Sequence, residues 1–218
     1  MKKIILTLML FLSIATSAFA IDVVPNAVSL NCANTFGVYQ VDHAIVIYDK
    51  PDEKAAIKQK IVWTSEKVIP KSLSLADLFV VYIQKKDLAL MAVTDETDDW
   101  VEVIYNNRTG EKGWIKKDDP YKFNTWVNFY NMYGKKYGLV ILNGAPETVY
   151  SMYGTPEEKQ KVISTINRPE LINLNIIRGN WMLVTVLDSD QTPKTGYVRW
   201  RSDDGVKYLF PNLQNNAQ

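Results

Sequence analysis

The chain runs to 218 residues, 47% of them hydrophobic, with 25 Lys and Arg set against 24 Asp and Glu for a formal charge of +1. That apolar fraction excludes a disordered chain. The near-neutral balance argues against nucleic acid as a partner, because such binding rests on many Lys and Arg contacts to phosphate.

Residues 1–20, MKKIILTLMLFLSIATSAFA, read as a signal peptide. Lys2 and Lys3 form a positive start, Ile4 to Leu12 an apolar run, and Ala18-Phe19-Ala20 a small-x-small cleavage site. Cleavage after Ala20 would leave an exported chain, periplasmic or extracellular, starting at Ile21. Without Lys2 and Lys3 the formal charge falls from +1 to −1. The apolar run is too short to span a membrane, which takes about 20 residues, so no stable membrane insertion is expected. Residues 21–37 read as an N-terminal extension holding the single cysteine, Cys32. Bulky Leu30 and Asn31 before it do not suit a lipidation site, and one cysteine cannot close an intrachain disulfide. It reads as a small buried apolar residue, with a disulfide-linked dimer left open.

Period-two patterning dominates the chain beyond this extension. Ala44 to Tyr48 is an apolar strand ending in the turn Asp49-Lys50-Pro51, and Leu78 to Ile83 has the length of a buried strand. A turn at Lys85-Lys86-Asp87 leads into Leu88–Val93. An acidic turn, Thr94 to Asp99, leads into the strand Trp100–Tyr105. There Val101, Val103 and Tyr105 should face the core, with Trp100, Glu102 and Ile104 opposite. Asn106-Asn107-Arg108-Thr109-Gly110 has the Asn and Gly that a hairpin's positive φ angles favour, and Glu111 to Lys116 returns as a strand. Asn107-Arg108-Thr109 also fits a glycosylation pattern; it reads as turn chemistry.

The stretch Asn124 to Gly134 changes period. Trp126, Phe129, Tyr130 and Tyr133 share one helical face, Asn124 or Thr125 can cap the start, and Gly134 can end it. A helix with such a stripe should wedge against a core rather than act as a flexible linker.

The strand rhythm then recurs. Leu171–Arg178, the turn Gly179-Asn180, Trp181–Leu187, the loop 188–195 and Gly196-Tyr197-Val198 keep the order of the first half. With Trp100 set against Trp181, Gly113-Trp114-Ile115 falls on Gly196-Tyr197-Val198. Upstream, Ala44–Pro51 resembles Leu139–Pro146. An internal duplication of this kind decides architecture more than any one motif.

Together, the turn Ile47-Tyr48-Asp49-Lys50-Pro51-Asp52, the strand pairs at Trp100 and Trp181, and the closing Gly113-Trp114-Ile115 resemble bacterial Src-homology-three-like (SH3b-type) domains. The resemblance spans roughly 38–119 and 137–211; Tyr197 in place of a tryptophan and a longer hairpin loop set the second copy apart. It implies a mainly β fold of two tandem small barrels. The first would cover 38–120, a connecting helix 121–136, the second barrel 137–211 and a flexible tail 212–218. It further implies binding rather than catalysis, with cell-wall peptidoglycan, its peptides or an envelope protein as partner.

The residues agree with a non-catalytic reading. Cys32 and the lone His43 lie close in sequence and lack an evident orienting group, and no nucleophile elbow or phosphate loop occurs. One Cys and one His cannot make a zinc site. The acidic turn lacks the glycine and distal glutamate of a calcium loop, so no metal and no cofactor are expected. The alternative is a wall-directed hydrolase using two carboxylates, with Asp95, Asp98 or Asp99 in the site. Binding should fall on aromatics beside the turns: Tyr48, Trp100 and Trp114, with Trp181 and Tyr197 as counterparts. Lys112, Lys116 and Lys117 form a basic edge that reads first as a solvated strand margin.

Overall fold

The structure is a computed structural model that describes residues 35–63, 72–157, 160–167, 171–187 and 191–213. The expected signal peptide, Cys32 and the last five residues lie outside these. The fold is mainly β, as expected, with two antiparallel sheets. The first contains β1 (Gly37–Gln40), β2 (Ala44–Tyr48), β3 (Ile57–Val62), β4 (Val81–Ile83), β5 (Leu88–Glu96), β6 (Trp100–Asn106), β7 (Glu111–Lys116) and β8 (Phe123–Thr125). The second contains β9 (Leu139–Ile141), β10 (Ser151–Tyr153), β11 (Val162–Thr165), β12 (Ile172–Arg178), β13 (Trp181–Leu187), β14 (Pro193–Arg199) and β15 (Leu209–Pro211).

The first sheet runs β3-β2-β7-β6-β5-β1-β8, with β4 added beside β5, and the second runs β11-β10-β14-β13-β12-β9-β15. Leaving β4 aside, each strand of the first order maps onto one of the second in the same chain sequence. The duplication is therefore topological as well as rhythmic. It also corrects the upstream alignment. The topological partner of β2 is β10, not the strand at Leu139, which corresponds to β1.

Two glycines show why the copies share a crossing point. A Cβ on Gly113 would collide with Ile47 Cγ2 and lie 3.0 Å from the Tyr48 carbonyl; one on Gly196 would lie 3.1 Å from Met152 Cβ and 3.2 Å from the Tyr153 carbonyl. Both let β7 and β14 pass close over β2 and β10.

One core fills the first sheet. Ile45, Ile47, Ile61, Val101, Val103, Tyr105 and Ile115 pack there with Tyr39, Trp63 and Phe79. The alternate residues of β5 and β6, Leu88, Leu90, Ala92 and Ile104, instead join a second cluster that includes Leu139, Leu174, Met182, Val184, Val198 and Trp200. Both faces of β5 are covered, which is why Leu88–Val93 is continuously apolar rather than alternating.

Between the sheets in sequence lie α2 (Trp126–Phe129), a π-helical turn (Tyr130–Gly134) and α3 (Lys135–Tyr137); α1 (Leu75–Leu78) precedes β4. Thr125 caps α2, its Oγ1 accepting from Asn128 N at 3.2 Å. Trp126, Phe129 and Tyr130 are buried in the second cluster, with Tyr133 packed against it. The helical run passes the expected stop at Gly134 and ends at Gly138, whose φ of +72° suits glycine. Gly134 has another role: a Cβ there would lie 2.9 Å from Leu139 and 3.1 Å from Leu174.

Three further expectations need correction. Leu78 is the last residue of α1, a helix started by a Ser74–Asp77 capping box, and the strand expected from Leu78 begins only at Val81. Residues 123–125, expected in the connector, are β8, paired with β1. The expected tail stays docked through Leu213, which is 6% exposed, and Asn212 N–H donates to the Gly138 carbonyl.

Gly113→Ala should destabilise by about 1–3 kcal/mol, as overpacking against a fully buried Ile47 does, while Gly196→Ala should cost under about 1 kcal/mol. Urea melts of the two variants check the ranking.

Candidate functional site

Strand register puts the predicted aromatics on common faces. Tyr48 lies opposite Trp114, Glu102 opposite Trp114 and Trp100 opposite Lys116. Paired residues share a face, so Tyr48, Trp114, Trp100 and Lys116 project from one side of β2-β7-β6. In the second sheet Tyr153 and Leu183 lie opposite Tyr197, and Trp181 lies opposite Arg199. The second set of positions reproduces the first.

The ring geometry is reproduced too. Tyr48 meets Trp100 edge-on, centroids 5.4 Å apart at 90°. Tyr153 meets Trp181 at 5.6 Å and 86°. Such T-shaped pairs follow from the ring quadrupole. A cleft opens beside each pair. The first, about 250 Å³, is bordered by Tyr39, Asp42, Tyr48, Ile115, Lys116 and Asp118 among others. The second, about 280 Å³, is lined by Thr148, Tyr153, Trp181 and Arg199.

The predicted residues divide accordingly. Tyr48 and Trp181 line clefts and are half-buried. Trp100 is not an open platform: it is 8% exposed, its ring against Tyr48. Trp114 and Tyr197 are half-buried on the same faces outside the cleft linings, Tyr197 with the Arg178 guanidinium 6.0 Å from its ring centre.

Sequence reasoning missed Tyr153, the partner of Tyr48, because the upstream alignment was one strand off. It also missed the basic residue of the second cleft, Arg199, although Gly196-Tyr197-Val198-Arg199 displays it in the place of Lys116 in Gly113-Trp114-Ile115-Lys116. The expected basic edge is matched by acid: Lys112 lies 3.6 Å from Glu102, Lys117 lies 2.5 Å from Glu96, and Lys116 pairs with Glu53.

The first cleft carries a polar network of its own. The Tyr39 hydroxyl donates to Asp118 Oδ1 at 2.6 Å, and Lys122 bridges Asp118, at 2.5 Å, and Asp42. Burial, and then the Asp118 carboxylate, push the Tyr39 phenol up to about 12. Burial would raise Asp118, but hydrogen bonds from Lys122 and Tyr39 outweigh it and hold the carboxyl below its usual range.

The Asn-rich hairpin proves to be turn chemistry. Asn106 is 5% exposed, its Oδ1 accepting from Arg108 N and Thr109 N while its Nδ2 donates to Glu111 at 2.8 Å. Arg108 ties the turn to the Ser72 carbonyl at 2.9 Å. Residues 94–96, expected in the acidic turn, extend β5, so Asp95 lies on the exposed end of that strand and Asp98 and Asp99 on the exposed turn after it; none of the three lines either cleft. His43 is exposed, 3.7 Å from Asp87. Among the described residues no group of three or more His, Cys, Asp or Glu is placed to hold a metal, and no helix is long and apolar enough to cross a membrane. The chain matches no protein-family model and no curated protein.

A raised Tyr39 pKa stabilises the fold fully below the ordinary phenol value near 10, and that contribution is lost as pH rises through about 12. Tyr39→Phe should remove up to about 2 kcal/mol of the alkaline stability loss between those values. Denaturant midpoints of both proteins across that range, compared pairwise, check it.

Proposed function

We propose that the protein is an exported, non-catalytic binding module of the bacterial cell envelope. In this reading each sheet is an SH3-like barrel, the helical segment joins the two, and the ligand is peptidoglycan or its peptides, held in the clefts beside the Tyr–Trp pairs. The observation that carries the reading is the recurrence of one arrangement at topologically equivalent positions: an edge-on Tyr–Trp pair with a basic residue at the end of the next strand. An aromatic wall gives contact area and a charged neighbour gives direction, which suits a binding cleft. The acidic turn, exposed and outside both clefts, offers a hydrolase no enclosed pair of carboxylates.

Co-sedimentation with purified sacculi tests this. The protein should be retained, Trp181→Leu should reduce retention about fivefold or more while melting cooperatively, and Asp98→Asn with Asp99→Asn should leave retention unchanged. No retention, or sacculus cleavage lost in the acidic-turn variant, would contradict the reading.

A further inference from the structure

The two clefts occupy equivalent positions but differ in charge. At the first, the basic residue is Lys116, and its ammonium pairs with Glu53. Asp42 and Asp118 also border that cleft, both held by Lys122. Asp42 and Asp118, which line the cleft, oppose a further anion there.

The second cleft has been rebuilt. Arg199 replaces lysine, and none of the four lining residues is acidic. Among the contacts that position the guanidinium, Nε donates to the Arg201 carbonyl at 3.1 Å and Nη2 lies 2.8 Å from Asp203 Oδ1. The Arg199 side chain is 20% exposed, whereas that of Asp203 is 86% exposed. An ion pair with so exposed a partner contributes little, and Asp203 also accepts from Asn180 Nδ2 at 2.9 Å. A carboxylate arriving from the cleft would meet the same guanidinium against the Tyr153 and Trp181 rings, where water is partly displaced and a charge-assisted bond is stronger. The planar fork of arginine suits a carboxylate better than a lysine ammonium does. At about 280 Å³ the cleft is smaller than most ligand pockets; it has room for the end of a peptide rather than a long polymer.

We propose that the second cleft binds the C-terminal carboxylate of a short peptide, with Arg199 setting that preference, and that the first cleft does not share it. The assignment rests on the binding function proposed above and names its ligand chemistry.

The test uses acetyl-Ala-Ala with a free carboxylate and the same peptide as a C-terminal amide. Each is titrated at millimolar concentration into the purified protein, followed by the indole N–H resonance of Trp181. The acid should shift that resonance and bind roughly tenfold more tightly than the amide, the scale of one charged hydrogen-bonded pair. Arg199→Gln should abolish the discrimination, Arg199→Lys should restore part of it, and Lys116→Gln should leave it intact. Equal affinity for acid and amide, no shift with either, or loss of discrimination in Lys116→Gln alone would overturn the assignment. Sacculus retention without acid preference would overturn it while leaving the wall-binding reading in place; acid preference without retention would do the reverse.

Discussion

One cluster of rings carries the rest of the structure. Phe129 lies 5.5 Å from Phe210 and 6.1 Å from Trp126, and Tyr130 lies 4.7 Å from Trp200, centroid to centroid. The polar end of each large ring is satisfied. Tyr130 donates to the Leu209 carbonyl at 2.5 Å, Trp200 Nε1 to Gly179 at 2.9 Å and Trp126 Nε1 to Thr35 at 3.2 Å. The buried Lys207 ammonium stands 4.4 Å from the Trp126 ring centre, a favourable placement over an aromatic face. A helical run this short has little stability of its own in water. It exists because one stripe of it fills space that neither sheet closes alone, and losing a buried ring of this kind typically costs about 3–5 kcal/mol.

That cluster explains how the first sheet can serve two purposes on one face. Along β6, Ile104 joins the shared core while Trp100, four residues earlier on the same face, packs edge-on against Tyr48, which lines the cleft. Packing fixes one end of the strand, so the other can back a cleft-lining ring without loss of register. The second copy repeats the arrangement with Tyr153, Trp181 and Arg199. Duplication of the scaffold frees one copy to change charge while the crossing glycines, Gly113 and Gly196, keep the strand geometry.

Much of this was legible in the sequence, for physical reasons. Period-two runs and Asn–Gly turns located β6, β7, β12 and β13 to within a residue or two, because a half-buried strand must alternate and a tight hairpin needs left-handed backbone. The aromatic stripe of 126–133 announced burial at helical spacing. The upstream strands were misaligned because β10 is three residues long and its apolar signature is only Met152-Tyr153; so short a run resembles many others. Leu78 was misread because an apolar run does not reveal that its first residue ends a helix started by the Ser74–Asp77 capping box. The clefts were half legible: the aromatics could be named, but which would be covered depended on rings brought together from distant strands. The ion pairs that occupy the basic edge likewise join residues such as Lys116 and Glu53, 63 positions apart.

The central claim is that two copies of one sheet unfold as a single body because they share that ring cluster. Native-state hydrogen exchange in increasing urea tests it most directly, read at the slow amides of β6 and β13. The account predicts that both strands open with the same free energy and the same denaturant dependence, and that Phe129→Ala lowers both by equal amounts. Two separate opening energies, or a variant that weakens β13 and leaves β6 unchanged, would contradict it.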